Sequence, residues 1–126
     1  MDNPFQLGLA IGQSEYESGV PIRVFMTVTN TGNTAKTLEF RSSQRFDLLV
    51  YKADKEIWRL SSGMMYTLMI THQTLVPGAS LRLEGVWNQT DIQGQQVESG
   101  VYQMKGILTI YVADKLETDL INIKIN

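Results

Sequence analysis

Apolar and polar positions alternate along most of the chain with a period of two. Phe5, Leu7, Leu9 and Ile11 alternate with Gln6, Gly8 and Ala10. Ile22, Val24, Met26 and Val28 alternate with Arg23, Thr27 and Thr29, with Phe25 interrupting the polar side. Leu38 and Phe40 mark a short third strand, and Phe46, Leu48 and Val50 oppose Asp47, Leu49 and Tyr51 in a fourth. A strand sends successive side chains to opposite faces, so this pattern predicts β-structure buried on one side. The polar stretch Lys52 to Glu56 is short enough for a hairpin, and Ile57-Trp58-Arg59-Leu60 starts the returning strand, with Trp58 as the expected anchor of the core. Residues 64–71 are read as a further strand. Helix is the alternative there, because Met and Leu favour it. The turn signature Val76-Pro77-Gly78-Ala79 and a strand from Leu81 to Trp87 follow.

Asn88 to Gly100 is the longest polar stretch. A long strand then carries Tyr102, Met104, Leu108, Ile110 and Val112 on one face, with Gly106 in register. Glycine at that position predicts a bulge or close packing under an aromatic. Ala113-Asp114-Lys115 turns the chain. In the last strand the apolar set shifts from Leu116, Thr118 and Leu120 to Ile121, Ile123 and Ile125, which predicts a bulge near Leu120. The sum is about nine short strands and no amphipathic helix: an all-β, immunoglobulin-like antiparallel sandwich of about 7–9 strands. If successive strands reverse direction, the connections at 12–21, 41–45, 61–65 and 88–99 share one end, and the turns at 31–36, 52–55, 76–79 and 113–115 share the other. Sandwich proteins that bind partners use loops gathered at one end, so the first end is the expected binding end.

Totals change this picture little. A chain of 126 residues is expected to form one domain, 1–126, large enough for a real core. The net charge of −2, with scattered Lys and Arg, offers no basic stripe for nucleic acid. There is no cysteine, no apolar run of membrane-spanning length and no signal-like start, so a cytoplasmic protein is expected. The single histidine, His72, has no nucleophile-elbow sequence to serve, and is read as an exposed or edge-strand residue. Asp91, Glu98, Asp114, Glu117 and Asp119 lie in or near loops without the spacing of a calcium loop, and are read as surface acids. No cofactor or metal is called for, and no enzyme is read here. Asp47 and Arg59 are expected to pair across the hairpin as a matter of register.

Met64-Met65-Tyr66 is the most unusual local run, following directly on Ser61-Ser62-Gly63. As the opening of a strand it would be buried, the usual fate of such residues. Exposed, it would be a flexible apolar contact open to capture by a partner.

The ordered set Phe40, Ser42-Ser43-Gln44-Arg45-Phe46-Asp47-Leu48-Leu49-Val50-Tyr51, Trp58-Arg59-Leu60-Ser61, Met65-Tyr66-Thr67, Leu75-Val76-Pro77-Gly78, Trp87 and Gly100-Val101-Tyr102 with Gly106 resembles the BsuPI family of bacterial intracellular proteinase inhibitors. It departs from the family at Ser43, where a Gly is expected, and in a longer loop from Asn88 to Ser99. The resemblance implies an immunoglobulin-like sandwich and a protein partner, an intracellular subtilisin-like serine protease. It brings no reactive-site motif with it. On the inhibitor reading a loop enters the protease cleft without covalent reaction, and Met64, Met65 or Tyr66 is the expected contact. The alternative is a non-inhibitory binding or scaffold module using the same loops.

Overall fold

The computed structural model describes residues 4–111 and 116–126. Among these are nine strands of five residues or more: β1 (Phe5–Ile11), β3 (Ile22–Asn30), β4 (Lys36–Ser42), β5 (Phe46–Lys52), β6 (Lys55–Arg59), β7 (Leu68–Leu75), β8 (Ser80–Trp87), β9 (Gly100–Leu108) and β11 (Ile121–Ile125). Two strands have two residues each, β2 (Glu15–Tyr16) and β10 (Leu116–Glu117). One sheet has the order β1-β3-β8; the other runs β2-β11-β9-β5-β6, with β10 also on β9. Strands β4 and β7 form a separate ribbon. Pairing is antiparallel except between β11 and β2, which run parallel. The fold is therefore the expected all-β sandwich.

The core has two halves. Ile22, Val24, Leu48, Val50, Trp87, Tyr102, Met104, Ile123 and Ile125 fill one, and Met26, Val28, Leu38, Phe40, Leu75, Leu83 and Leu108 fill the other. The anchoring tryptophan is Trp87, fully buried, and not Trp58. Trp58 is half-buried on the edge strand β6 and tilts against Trp87 with ring centroids 6.3 Å apart. An edge strand has no neighbour on one side to enclose a ring of that size, whereas Trp87 faces Tyr102 from the opposite sheet at 5.6 Å.

The β5–β6 hairpin is tighter than the polar stretch implied. Lys52 pairs with Lys55, leaving only Ala53 and Asp54, both at positive φ, the geometry of a two-residue hairpin turn. Gly106 sits in regular register opposite Leu48, so there is no bulge there. Close packing is the reason for the glycine, although not under an aromatic ring. An added Cβ would lie 2.9 Å from Met26 Sδ and 3.3 Å from Leu9 Cδ1 of the facing sheet. The bulge before β11 is present: Glu117 opposes Ile107 and Ile121 opposes Met104, four steps against three on β9. The long strand ends earlier than expected. After Leu108, Ile110 leaves β5 and bridges to Phe40 of β4. Val112 and the turn at Ala113-Asp114-Lys115 lie outside the described residues.

Counting reversals misplaces three connections, 41–45, 52–55 and 61–65. The β5–β6 turn, expected opposite the 88–99 loop, lies with it: Ile92 N donates to Ile57 O at 2.9 Å, and Lys52 Nζ is 3.6 Å from Glu98. The cause is β4. Its core residues Leu38 and Phe40 serve one half only, and β5 starts in that same half, with Phe46 opposite Leu108. A strand that does not cross the sandwich is not a full reversal. Loops 12–21 and 88–99 therefore share an end, while 41–45 and 61–67 meet beside the middle of β8.

Candidate functional site

The strand expected over 64–71 begins only at Leu68, and residues 64–67 precede it outside any strand. Met64-Met65-Tyr66 is thus neither helix nor strand, and the burial usual for such residues does not occur. Met65 is 97% exposed and Met64 52%, while Tyr66 is half-buried. The apolar surface continues into β7, where Leu68 is 93% exposed and Met69 and Ile70 are also open to solvent.

The segment is built from its two ends. After Leu60 N donates to Leu48 O, the chain turns through Ser61-Ser62-Gly63, with Ser62 N bonded to Arg59 O and Met64 N to Ser61 O, each at 3.1 Å. Gly63 has φ +76°, a left-handed conformation that side chains with a Cβ adopt with strain. The buried carboxylate of Asp47 holds the start of this turn. Its Oδ1 accepts from Leu48 N and Ser61 N, both at 3.0 Å, and its Oδ2 accepts from the Ser61 hydroxyl at 2.7 Å. A carboxylate at 5% exposure requires such donors, and these three supply them. The Arg59 partner expected for Asp47 is peripheral: its Nη1 is 3.9 Å away. Arg59 bonds chiefly to Glu56, at 2.6 and 3.0 Å, and that bond raises its pKa above the ordinary arginine value.

The far end is held by Ser43. Its backbone N donates to Thr67 O, and its hydroxyl accepts from Thr67 N, both at 2.9 Å. The residue that departs from the expected Gly therefore adds a side-chain bond to this clamp. Ser42 and Gln44 steady the clamp in turn: Gln44 N donates to Ser42 Oγ, and Thr109 Oγ1 donates to Gln44 O. Tyr66 lines a groove of about 400 Å³ together with Ser43, Arg45, Phe46, Leu60 and Met64. Its hydroxyl donates to Met64 Sδ at 3.5 Å. Burial, and then the Asp47 charge, push its pKa above 10.0.

Metal and acid–base chemistry find little here. Among the described residues no group of three or more His, Cys, Asp or Glu could hold a metal ion. His72 is exposed on β7 beside Glu39 at 3.3 Å. Asp91 accepts two backbone bonds within its own loop, Glu98 faces Lys52, and Glu117 faces Lys105. Asp114 is outside the described residues. What the arrangement offers is an exposed apolar segment suspended between two hydrogen-bonded clamps.

The model of the family described as BsuPI, intracellular proteinase inhibitor, matches residues 9–111, which include both clamps and the segment between them. The chain belongs to the BsuPI family. That family is one of inhibitors, which act by binding and are not enzymes. No curated protein matches the chain in sequence. Among solved structures, the sporulation control protein Spo0M from Bacillus subtilis is similar with a TM-score of 0.57 and 14% identity, over 99% of this chain and 50% of its own. A β-glucosidase from Erythrobacter marinus is similar with a TM-score of 0.54 and 17% identity, over 97% of this chain and 15% of its own. A β-glucosidase from Listeria innocua, in complex with glucose, gives 0.54 and 13%, over 97% and 16%. At these identities the likeness is one of fold alone. This BsuPI chain spans half or less of the length of those proteins.

Proposed function

We propose that this BsuPI protein inhibits a subtilisin-like serine protease in the cytoplasm by inserting residues 61–67 into the active-site cleft. The observation that carries the reading is Met65, 97% exposed between two clamped ends. A protease cleft binds substrate as an extended strand through main-chain hydrogen bonds and takes one side chain into its main pocket. Met64 N is bonded to Ser61 O and Thr67 to Ser43, but Met65 and Tyr66 between them have no strand partner, so it is their main chain that is open to such pairing. Subtilisin-like pockets accept large apolar side chains. Met65 fits that role, with Met64 and the edge of Tyr66 as flanking contacts. Holding the loop at Ser61 and Thr67 before the encounter lowers the ordering cost of binding. Residues 1–126 act as one BsuPI-like domain in this reading.

The test is a titration of the purified protein against a subtilisin-like protease with a chromogenic peptide substrate. Stoichiometric loss of activity, with the added protein intact, is the expected result. No effect at micromolar concentration, with the sandwich intact by circular dichroism, would sink the reading.

A further inference from the structure

The two clamps lie on opposite sides of one peptide bond, Met65–Tyr66, and this matters if loop 61–67 is the inhibitory segment, the reading on which the inference rests. Asp47 holds the chain before the bond through Ser61 N and Oγ. Ser43 holds it after the bond through Thr67 N and O. Tyr66, which lines the groove with Ser43, reaches back across the bond, its hydroxyl donating to Met64 Sδ at 3.5 Å. The clamps grip through different strands: Asp47 is in β5, and Ser43 follows β4.

A segment lying in a protease cleft as a substrate does is open to attack. The protease's serine oxygen adds to the Met65 carbonyl carbon, and the C–N bond to Tyr66 breaks. The serine proton passes through the protease's histidine to the Tyr66 nitrogen, leaving a Met65 acyl ester and a free Tyr66 amine. In a substrate the amine departs, and water hydrolyses the ester to a carboxylate. Here the amine would remain one residue from the Ser43 clamp, beside the ester held through Asp47. An amine kept beside the ester by these holds attacks it intramolecularly, an advantage over water that a departed amine does not have. Attack by the amine on the ester re-forms the peptide bond and returns the proton to the serine.

We propose that Asp47 with Ser61, and Ser43 with Thr67, are positioning elements that keep this chain an inhibitor rather than a substrate, by retaining both ends of the Met65–Tyr66 bond.

The test incubates the full chain with subtilisin and follows residual activity and intact mass over time. Variants Ser61→Ala and Ser43→Ala each remove one hydroxyl bond and keep the backbone bonds of the clamps. Ser61→Thr and Ser43→Thr keep the hydroxyl. The native chain is expected to inhibit and stay full length. The alanine variants are expected to inhibit at first and then fail, with clipping between Met65 and Tyr66 about tenfold faster, the change expected for one lost hydrogen bond in the clamp. The threonine variants are expected to behave as the native chain. Ser61→Ala also takes from the buried Asp47 Oδ2 its hydroxyl donor and is expected to lower the unfolding temperature. All variants are therefore compared at a temperature where circular dichroism shows them folded. Ser43→Ala, whose hydroxyl serves no buried charge, is expected to unfold at the native temperature. Alanine variants that inhibit as long as the native chain and stay intact would overturn the inference while leaving the inhibitory loop standing. Rapid clipping of the threonine variants would overturn it too, since the hydroxyl bonds would then not be what retains the ends. A native chain that fails to inhibit, or is cut elsewhere, removes the loop reading itself.

Discussion

The loop at 61–67 and the loop at 88–99 are built in opposite ways. The longer one is polar and bonded to itself and to its surroundings. Gln89, fully buried at positive φ, donates to Glu17 O and Val20 O and accepts from Gly19 N. Trp87 Nε1 donates to Thr90 O, and Tyr102 donates its hydroxyl to Glu98 O. That loop closes the end of the core over the tryptophan. The shorter one carries large apolar side chains and is fastened only near its ends, with Met65 projecting into solvent. Length and polarity are poor guides to which loop is free to bind. The number of a loop's own hydrogen bonds, and where they fall along it, is the better guide.

Breaking each region separately sharpens the contrast. The largest effect is expected from Trp87→Ala, which empties the centre of one core half and removes the ring that Trp58 and Tyr102 pack on. Unfolding by denaturant should show a loss of about 3–5 kcal/mol. Next, Met64→Asp with Met65→Asp should weaken inhibition roughly 100-fold, about 3 kcal/mol, with thermal stability unchanged, because both residues lie outside the core. Unchanged inhibition by the folded double variant would remove this loop from the mechanism. Gln89→Ala takes the side-chain donor from Val20 O and the acceptor from Gly19 N, and leaves Glu17 O with Val20 N at 3.3 Å. Denaturant titration should find a cost of about 1–3 kcal/mol, with inhibition by the folded protein retained. A loss of inhibition larger than the loss of stability would show that the two loops act together.

The smallest effect concerns pH. The Tyr66 pKa is raised in the folded state by burial and by Asp47, so the fold favours its neutral form. That contribution is complete below the ordinary tyrosine value of 10.0 and is lost as pH rises through the folded value. Replacing Tyr66 by Phe should flatten the alkaline decline in stability. An identical decline in the variant would place its cause at another group.

Much of the fold was legible because alternation reports directly on burial. In β3 the pattern runs buried at Ile22, Val24, Met26 and Val28, as the sequence reads. The bulge before β11 was legible for the same reason, since a shift of apolar parity has no other regular explanation. Trp58 was mistaken for the anchor because composition cannot distinguish an edge strand from an enclosed one. Gln89 was missed entirely: a glutamine in a polar stretch carries no sign of burial, and its partners are backbone groups about 70 positions away in the chain. The site was half legible. Met64-Met65-Tyr66 stood out as an apolar run, but Asp47 was assigned to Arg59. A signal was there, because an acid inside the run Asp47-Leu48-Leu49-Val50, all buried, requires donors, and the serines after the hairpin were the nearest candidates.

By itself, the sequence determined the class of fold, the places where strands turn and shift register, and the family, because each depends on local pattern and on residues in order. The tertiary structure decided which loops are neighbours, which tryptophan is enclosed and that Met65 is exposed. Those outcomes depend on β4 crossing only half of the sandwich and on hydrogen bonds from Asp47 and Ser43 to residues 14 and 24 positions away. Contacts of that kind form only when the sheets close, and periodicity along the chain carries no trace of them.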